Sequence, residues 1–250
     1  MSPQAIATAA ALLADARRTR QPLARLPEEC RPATLEEAFA IEEATVVRLG
    51  DRIAGWKVAR LPDGQLAYGI VLASRVVRSG GVVDSRDVPL LGMEGEIAFR
   101  FLQDAPAREA AYSYEEIAER VVAFPLIEVV ATRFTDYQST PILERTADLM
   151  SNGAFVVGDD QPDWRSMDLV GIPVSLTFDD TVMVERNGGH AIGDPLRLAI
   201  DLANRLRATT GIRAGQMVTT GAYTGMVRAK PGQRIAVRFA GFPACEVGIS

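Results

Sequence analysis

Glu94 and Glu96 stand two residues apart in Gly92-Met93-Glu94-Gly95-Glu96-Ile97-Ala98-Phe99-Arg100-Phe101, a segment rich in strand-forming side chains. Strand periodicity puts both carboxylates on one face with Ala98 and Arg100, and Met93, Ile97, Phe99 and Phe101 on the other. Adjacent carboxylates repel unless a cation lies between them, and hard ions such as Mg²⁺ and Mn²⁺ prefer oxygen ligands. An E-x-E pair also suits a solvent-facing strand, so the pair alone leaves both readings open. Glu128 adds weight to the first. It lies in Ala123-Phe124-Pro125-Leu126-Ile127-Glu128-Val129-Val130-Ala131-Thr132, and shares a face with Phe124, Leu126, Val130 and Thr132. A carboxylate in such apolar surroundings must be paired, protonated or bound to metal. Arg133 and Lys57 are available partners. Three carboxylates from two strands would occupy one side of an octahedral cation and leave the rest to water and substrate.

Lys57 is the other unusual charge, in the apolar segment Ile53-Ala54-Gly55-Trp56-Lys57-Val58-Ala59. It reads either as a proton-transfer group beside the acids or as a strand lysine reaching to solvent. Met217-Val218-Thr219-Thr220-Gly221-Ala222-Tyr223-Thr224-Gly225 runs from a strand into a turn rich in glycine and hydroxyls. Its backbone N–H groups could hold a substrate carboxylate, with Thr220, Gly221 and Thr224 as contacts, or it is an ordinary hairpin turn. Asn152 is a substrate donor or a turn residue. His190, in Asn187-Gly188-Gly189-His190, reads as exposed and non-catalytic.

The elements that must position these residues follow from pattern. Ile6, Ala9, Leu12, Leu13 and Ala16 recur at helical spacing, and Thr34 with Glu37 begins a second helix that Gly50 ends. After Gly50 the texture turns to strands: 53–59, 69–72, 92–102, 123–134, 154–158, 172–178, 181–186, 217–220 and 234–239. Helices are expected over 113–122 and about 195–210, the second capped by Asp194 and closed by Gly211. The expected class is α+β, one domain with a helical section over 1–50 and a β-rich metal-binding body over 51–250.

Composition narrows the function. The 250 residues carry 27 basic and 32 acidic side chains, a formal charge of −5, which disfavours nucleic-acid binding. No apolar run is long enough to cross a bilayer. One histidine and two distant cysteines, Cys30 and Cys245, cannot make a His/Cys zinc site or a disulfide framework. There is no G-x-S-x-G elbow. The N-terminal stretch carries Asp15, Arg17 and Arg18 and reads as an amphipathic helix, not a signal peptide, so a reducing, cytoplasmic setting is expected.

These pieces together resemble the fumarylacetoacetate hydrolase superfamily, in its 2-keto-4-pentenoate hydratase and oxalocrotonate decarboxylase branch. The resemblance runs through Thr34-Leu35-Glu36-Glu37-Ala38, Gly55-Trp56-Lys57-Val58, Glu94-Gly95-Glu96-Ile97-Ala98-Phe99, Ile127-Glu128-Val129-Val130, Asp148 to Gly158, Gly193-Asp194-Pro195-Leu196 and Val218-Thr219-Thr220-Gly221. It implies a mixed β-sheet roll with N-terminal and peripheral helices. It also implies Mg²⁺ or Mn²⁺ on Glu94, Glu96 and Glu128, an active-site lysine at Lys57, and a homo-oligomer. Two positions depart from the family pattern. Ala67, in Leu66-Ala67-Tyr68-Gly69, stands where the branch usually carries a proton-transferring aspartate, and Ala131 where another acid is often found. Asp63 is the nearest substitute in sequence.

The chemistry expected is a metal-dependent hydratase of a small 2-oxo or 2-hydroxy-dienoic acid, acting through a metal-stabilised enolate with Lys57 moving protons. Thr220 and Thr224 would hold the substrate's polar groups. The alternatives are decarboxylation of a 2-oxo acid, acylpyruvate hydrolysis, and a relative that binds 2-oxo acids without turning them over. The absence of any histidine before position 190 argues against hydrolysis.

Overall fold

A computed structural model describes residues 1–250. Helices α1 (Pro3–Thr19) and α2 (Leu35–Leu49) come first. Ser2 Oγ accepts from the Ala5 N–H at the start of α1, and Thr34 Oγ1 accepts from the Glu37 N–H at the start of α2. Gly50 ends α2 in the left-handed conformation, as its place in the sequence predicts. There follow β1 (Ile53–Arg60), β2 (Leu66–Leu72), β3 (Val76–Arg78), β4 (Val82–Val83) and β5 (Gly92–Phe101). Helix α3 (Tyr114–Arg120), opened by a reciprocal Ser113–Glu116 capping box, leads into β6 (Val121–Val130). Then come α4 (Ile142–Ala147), β7 (Asn152–Val157), β8 (Pro173–Phe178), β9 (Thr181–Asn187) and α5 (Leu196–Leu206). Strands β10 (Met217–Ala222), β11 (Val227–Arg228), β12 (Arg234–Phe239) and β13 (Cys245–Ile249) complete the chain.

Two sheets form. The larger runs β2-β1-β10-β5-β6-β7-β3, with β11 beside β5, and the smaller runs β4-β13-β12-β8-β9. Parallel pairs (β1 with β10, β3 with β7) among antiparallel ones make the large sheet mixed. One face of β5 packs on the small sheet, so tightly that a Cβ at Gly95 would lie 2.6 Å from Val237 Cγ2. The other face looks into the concave side of the curled large sheet. Val71, Ala98, Phe124, Leu126, Phe155 and Met217 fill that side with an apolar plug.

The curl is closed by polar ties between β2 and the start of β7. Asn152 is fully buried and its amide Nδ2 donates to the Ile70 carbonyl at 2.8 Å. Gly69 lets the chain before β7 come close, because a Cβ there would sit 2.8 Å from the Leu149 carbonyl. That approaching chain is unusual: Leu149, Met150 and Ser151 all have positive φ, near 50°. Three consecutive L residues in this region are strained, by about 1–2 kcal/mol each. Asp148, with no exposure, anchors the turn from below. Its carboxylate accepts from Arg133 Nε at 2.7 Å and from Arg17 Nη2 at 3.2 Å, and Arg17 also donates to the Asp148 carbonyl.

Several boundaries differ from the sequence-based expectation. The strand expected to run to Phe134 stops at Val130, because the Arg133 N–H turns to Asp148 and the Ala131 N–H to the Ser151 carbonyl. Helix α5 stops at Leu206, short of the expected Thr210, and the Gly211 N–H bonds back to the Leu206 carbonyl. Helix α4 and strands β3, β4, β11 and β13 were not anticipated. No helix is long and apolar enough to cross a membrane.

Gly69→Ala is expected to push the left-handed turn away from β2. It should lower stability by about 1–3 kcal/mol, read as a lower urea midpoint with an unchanged far-UV dichroism spectrum.

Candidate metal centre

The register of the two long strands decides where the carboxylates go. Glu94 pairs directly with Glu128 across β5 and β6, and Glu96 pairs with Leu126, one diagonal step from Glu128. All three therefore face the concave side of the roll, beside the apolar plug. One oxygen from each lies within 4.8 Å of the others. Glu96 and Glu128 are buried, and Glu94 is half-buried.

The neighbouring strands supply the partners. In the parallel pairing of β1 with β10, Lys57 lies opposite Thr219, and Thr219 lies opposite Ala98 of β5. Lys57 Nζ donates to Glu128 Oε1 and, at 3.2 Å, to the Met150 carbonyl of the left-handed turn. Thr219 Oγ1 donates to Glu96 Oε2. Strand β10 then bulges between Thr219 and Ala222. Gly221 sits in the bulge at φ +100°, a conformation that side chains oppose, and its N–H reaches Glu96 Oε2 at 3.0 Å. Glu128 Oε2 is buried with no hydrogen-bond partner.

The charge balance is three carboxylates against one ammonium. Burial works against the Lys57 ammonium, but Glu128 and Glu94 outweigh it and raise its pKa. Burial also pushes Glu128 up to about 7, against the opposing pull of Lys57. Glu96 is raised well above the carboxylate range by burial and then by Glu128 and Glu94. Both shifts say the same thing: negative charge here is under-compensated by the protein alone. The converging hard oxygens and the orphaned Glu128 Oε2 fit a divalent cation.

The structure brings together four of the eight residues singled out from sequence as acting directly: Lys57, Glu94, Glu96 and Glu128. Gly221 is also present, but it holds Glu96 in place. The other three have different roles. Thr220 points to the opposite face of β10, and its hydroxyl donates to the Ile97 carbonyl at 2.7 Å. Thr224 accepts from the Gly95 N–H at 2.9 Å and donates to the Gly225 carbonyl, pinning the turn to β5. Asn152 is the buried tie across the roll described above. Thr219, one residue from the expected Thr220, is the hydroxyl that meets the carboxylates, and only its parity with Met217 in the plug signals this.

Other expectations also change. His190 is buried, not exposed: it packs on Tyr223, and its Nε2 lies 2.6 Å from the Thr220 carbonyl. Its Nδ1 is buried without a partner, and it makes no bond to the three carboxylates. Asp63 caps the β1–β2 turn by accepting from the Gln65 N–H and side-chain amide, so it replaces no acid at Ala67. Arg133, an available partner for Glu128, is instead committed to Asp148.

No protein-family model matches the chain. A 2-keto-4-pentenoate hydratase of Paraburkholderia phymatum is 31% identical over 242 residues, covering 90% of each chain. 2-Keto-4-pentenoate hydratase 2 of Dechloromonas aromatica is 29% identical over 253 residues, covering 96% of this chain and 95% of that one. Among solved structures, 4-oxalocrotonate decarboxylase from Pseudomonas putida G7, complexed with magnesium and adipate, superposes with a TM-score of 0.87. The match covers 100% of this chain and 99% of the other at 20% identity, so it speaks for the fold. Full-length similarity to the hydratases, with a fold that agrees, leads to one conclusion: the chain belongs to the 2-keto-4-pentenoate hydratase family.

Proposed function

We propose that the chain is a divalent-cation-dependent hydro-lyase that adds water to a small 2-hydroxy-dienoic acid or its 2-oxo tautomer. The observation that carries this reading is the meeting of Glu94, Glu96 and Glu128 around one point, with the Lys57 ammonium bonded to one of them. The names of the full-length relatives support the substrate class, and the magnesium in the decarboxylase structure supports the cation. Mg²⁺ or Mn²⁺ suits an all-carboxylate set. The same reading carries a cytoplasmic homo-oligomer.

Glu94, Glu96 and Glu128 would hold the cation. When bound, it supplies Lewis acidity to a chelating 2-oxo acid and stabilises the negative charge that develops along the carbon chain. Thr219 and Gly221 fix the Glu96 carboxylate and keep it from swinging toward Lys57. Lys57 carries the proton at Nζ, oriented by Glu128 and the Met150 carbonyl, for transfer to and from substrate carbon. The apolar plug beneath excludes water from the inner side of the site.

Ala67 favours decarboxylation as the second reading. It puts a methyl group where the branch usually has an acid, and the charges acting most strongly on Lys57 are the three carboxylates themselves. Loss of carbon dioxide requires no water addition and manages with fewer proton transfers. Hydrolysis is the weaker alternative, since the one histidine, His190, is buried with its Nε2 at the Thr220 carbonyl.

The deciding assay follows the ultraviolet absorbance of 2-hydroxypenta-2,4-dienoate with chelator-treated protein, before and after Mg²⁺ or Mn²⁺ is added. Cation-dependent loss of the chromophore with gain of water is expected. Decarboxylation of 2-oxo-3-enedioate in place of dienoate hydration would select the second reading, and binding of oxalate or pyruvate without any turnover would identify a non-catalytic relative.

Two substitutions separate holding from proton transfer. Lys57→Met should lower turnover by about 10²–10⁴-fold while the cation still raises the melting temperature. Glu128→Gln should abolish that cation-dependent rise, measured by differential scanning fluorimetry, with the far-UV spectrum retained.

A further inference from the structure

A cleft outside the roll gathers an unusual amount of positive charge. It lies where the C-terminal end of α1 meets the segment from Ser85 to Pro89 and the residues just after β6. Arg17, Arg20, Arg75, Arg86 and Arg133 line it, and the space within it free to a small ion is about 40 Å³. We propose that this cleft binds a small, doubly charged oxyanion, separately from the carboxylate centre.

The argument is one of charge and unused donors. The carboxylates that meet these five guanidiniums number three, and they are already shared. Asp148 takes both Arg17 and Arg133, Asp87 takes both Arg20 and Arg75, and Asp84 takes Arg86. Two positive charges remain over. Each guanidinium has five N–H donors in a planar fork suited to phosphate or carboxylate oxygens, and these contacts use only part of them. Arg17 is the strongest case. Its side chain is 4% exposed, and its Nε is buried with no partner. Burial, and then the like charge of Arg133, pull its pKa down to about 9 even with Asp148 in contact. A cation in that condition has only a shared counter-charge.

Helix polarity accounts for part of the pattern, since basic side chains are favoured near the C-terminal end of α1. It does not account for Arg75, Arg86 and Arg133, which arrive from three other segments. Nor is the cleft an extension of the metal centre. It contains none of Lys57, Glu94, Glu96 or Glu128, and its sign is opposite to theirs.

The test is differential scanning fluorimetry on cation-free protein, titrated with inorganic phosphate against sodium chloride at matched ionic strength, with succinate as a second arm. A saturable rise of about 5 °C in melting temperature with phosphate is expected. An equal response to succinate would define the ligand class as dianions in general, and no response to succinate would restrict it to tetrahedral oxyanions. The Arg20→Gln/Arg86→Gln double variant, altered at the exposed mouth, should raise the half-saturating phosphate concentration at least about tenfold, the cost of a lost charge-assisted bond. Arg197→Gln, remote from the cleft, should leave it unchanged. No specific phosphate response, or one that survives in the double variant, would overturn the proposal. So would a change in light-scattering mass caused by the double variant, since the arginines would then serve a contact between copies of the chain.

Discussion

Like-charge repulsion in a confined space is the constraint on which the rest of the structure depends. Three carboxylates share one end of the roll with a single ammonium, and two of them are buried. Such an arrangement is unstable on its own terms: burial first, and the neighbouring carboxylates after it, raise the pKa of Glu96 and Glu128. Everything around it works to stop the side chains from relaxing apart. The β5–β6 register fixes Glu94 against Glu128, the β10 bulge turns the Gly221 N–H onto Glu96, and Thr219 adds a second donor to the same oxygen. The cluster reads as a receptor for positive charge because the backbone denies it any other relief.

A second layer holds the ammonium. The Met150 carbonyl reaches Lys57 only because Leu149, Met150 and Ser151 adopt left-handed conformations. That strain is offset by the buried ion cluster of Asp148 with Arg17 and Arg133, by the Ala131–Ser151 backbone bond, and by the absence of a side chain at Gly69. Helix α1 thus contributes to the site at a distance. Its Arg17 ties the helical section to the loop that steadies the lysine, without touching the lysine itself.

Much of this was legible in the sequence where a rule depends on local chemistry. Thr34, Ser113 and Gly50 marked helix ends correctly because capping involves only a few neighbouring residues. The E-x-E pair and the lone acid among apolar residues pointed to the carboxylates that the fold brings together, because strand periodicity is short-range. The errors concern long-range events. Thr220 and Thr219 have the same chemistry, and which one faces inward depends on pairing with β5 and on the following bulge. Asn152 and Thr224 look like donors free for a ligand, but the closure of the roll and the pinning of a turn claim them. His190 sits in a glycine-rich loop that reads as exposed, and Tyr223, from a distant part of the chain, covers it. Short strands such as β3 and β11 exist only because a neighbour offers an edge, so no local pattern announces them.

The ladder between β5 and β6 has a consequence for how such an enzyme can diversify. The spacing of Glu94 and Glu128 is set by hydrogen bonds between strands, and the segments flanking the site are turns: the bend after β10 and the one before β7. The ladder keeps Glu94 against Glu128 whatever the turns carry, whereas the turns also hold Glu96 and Lys57. Exchanging residues of a turn that make no such contact alters what fits above the carboxylates, and a single scaffold can serve more than one reaction among its descendants.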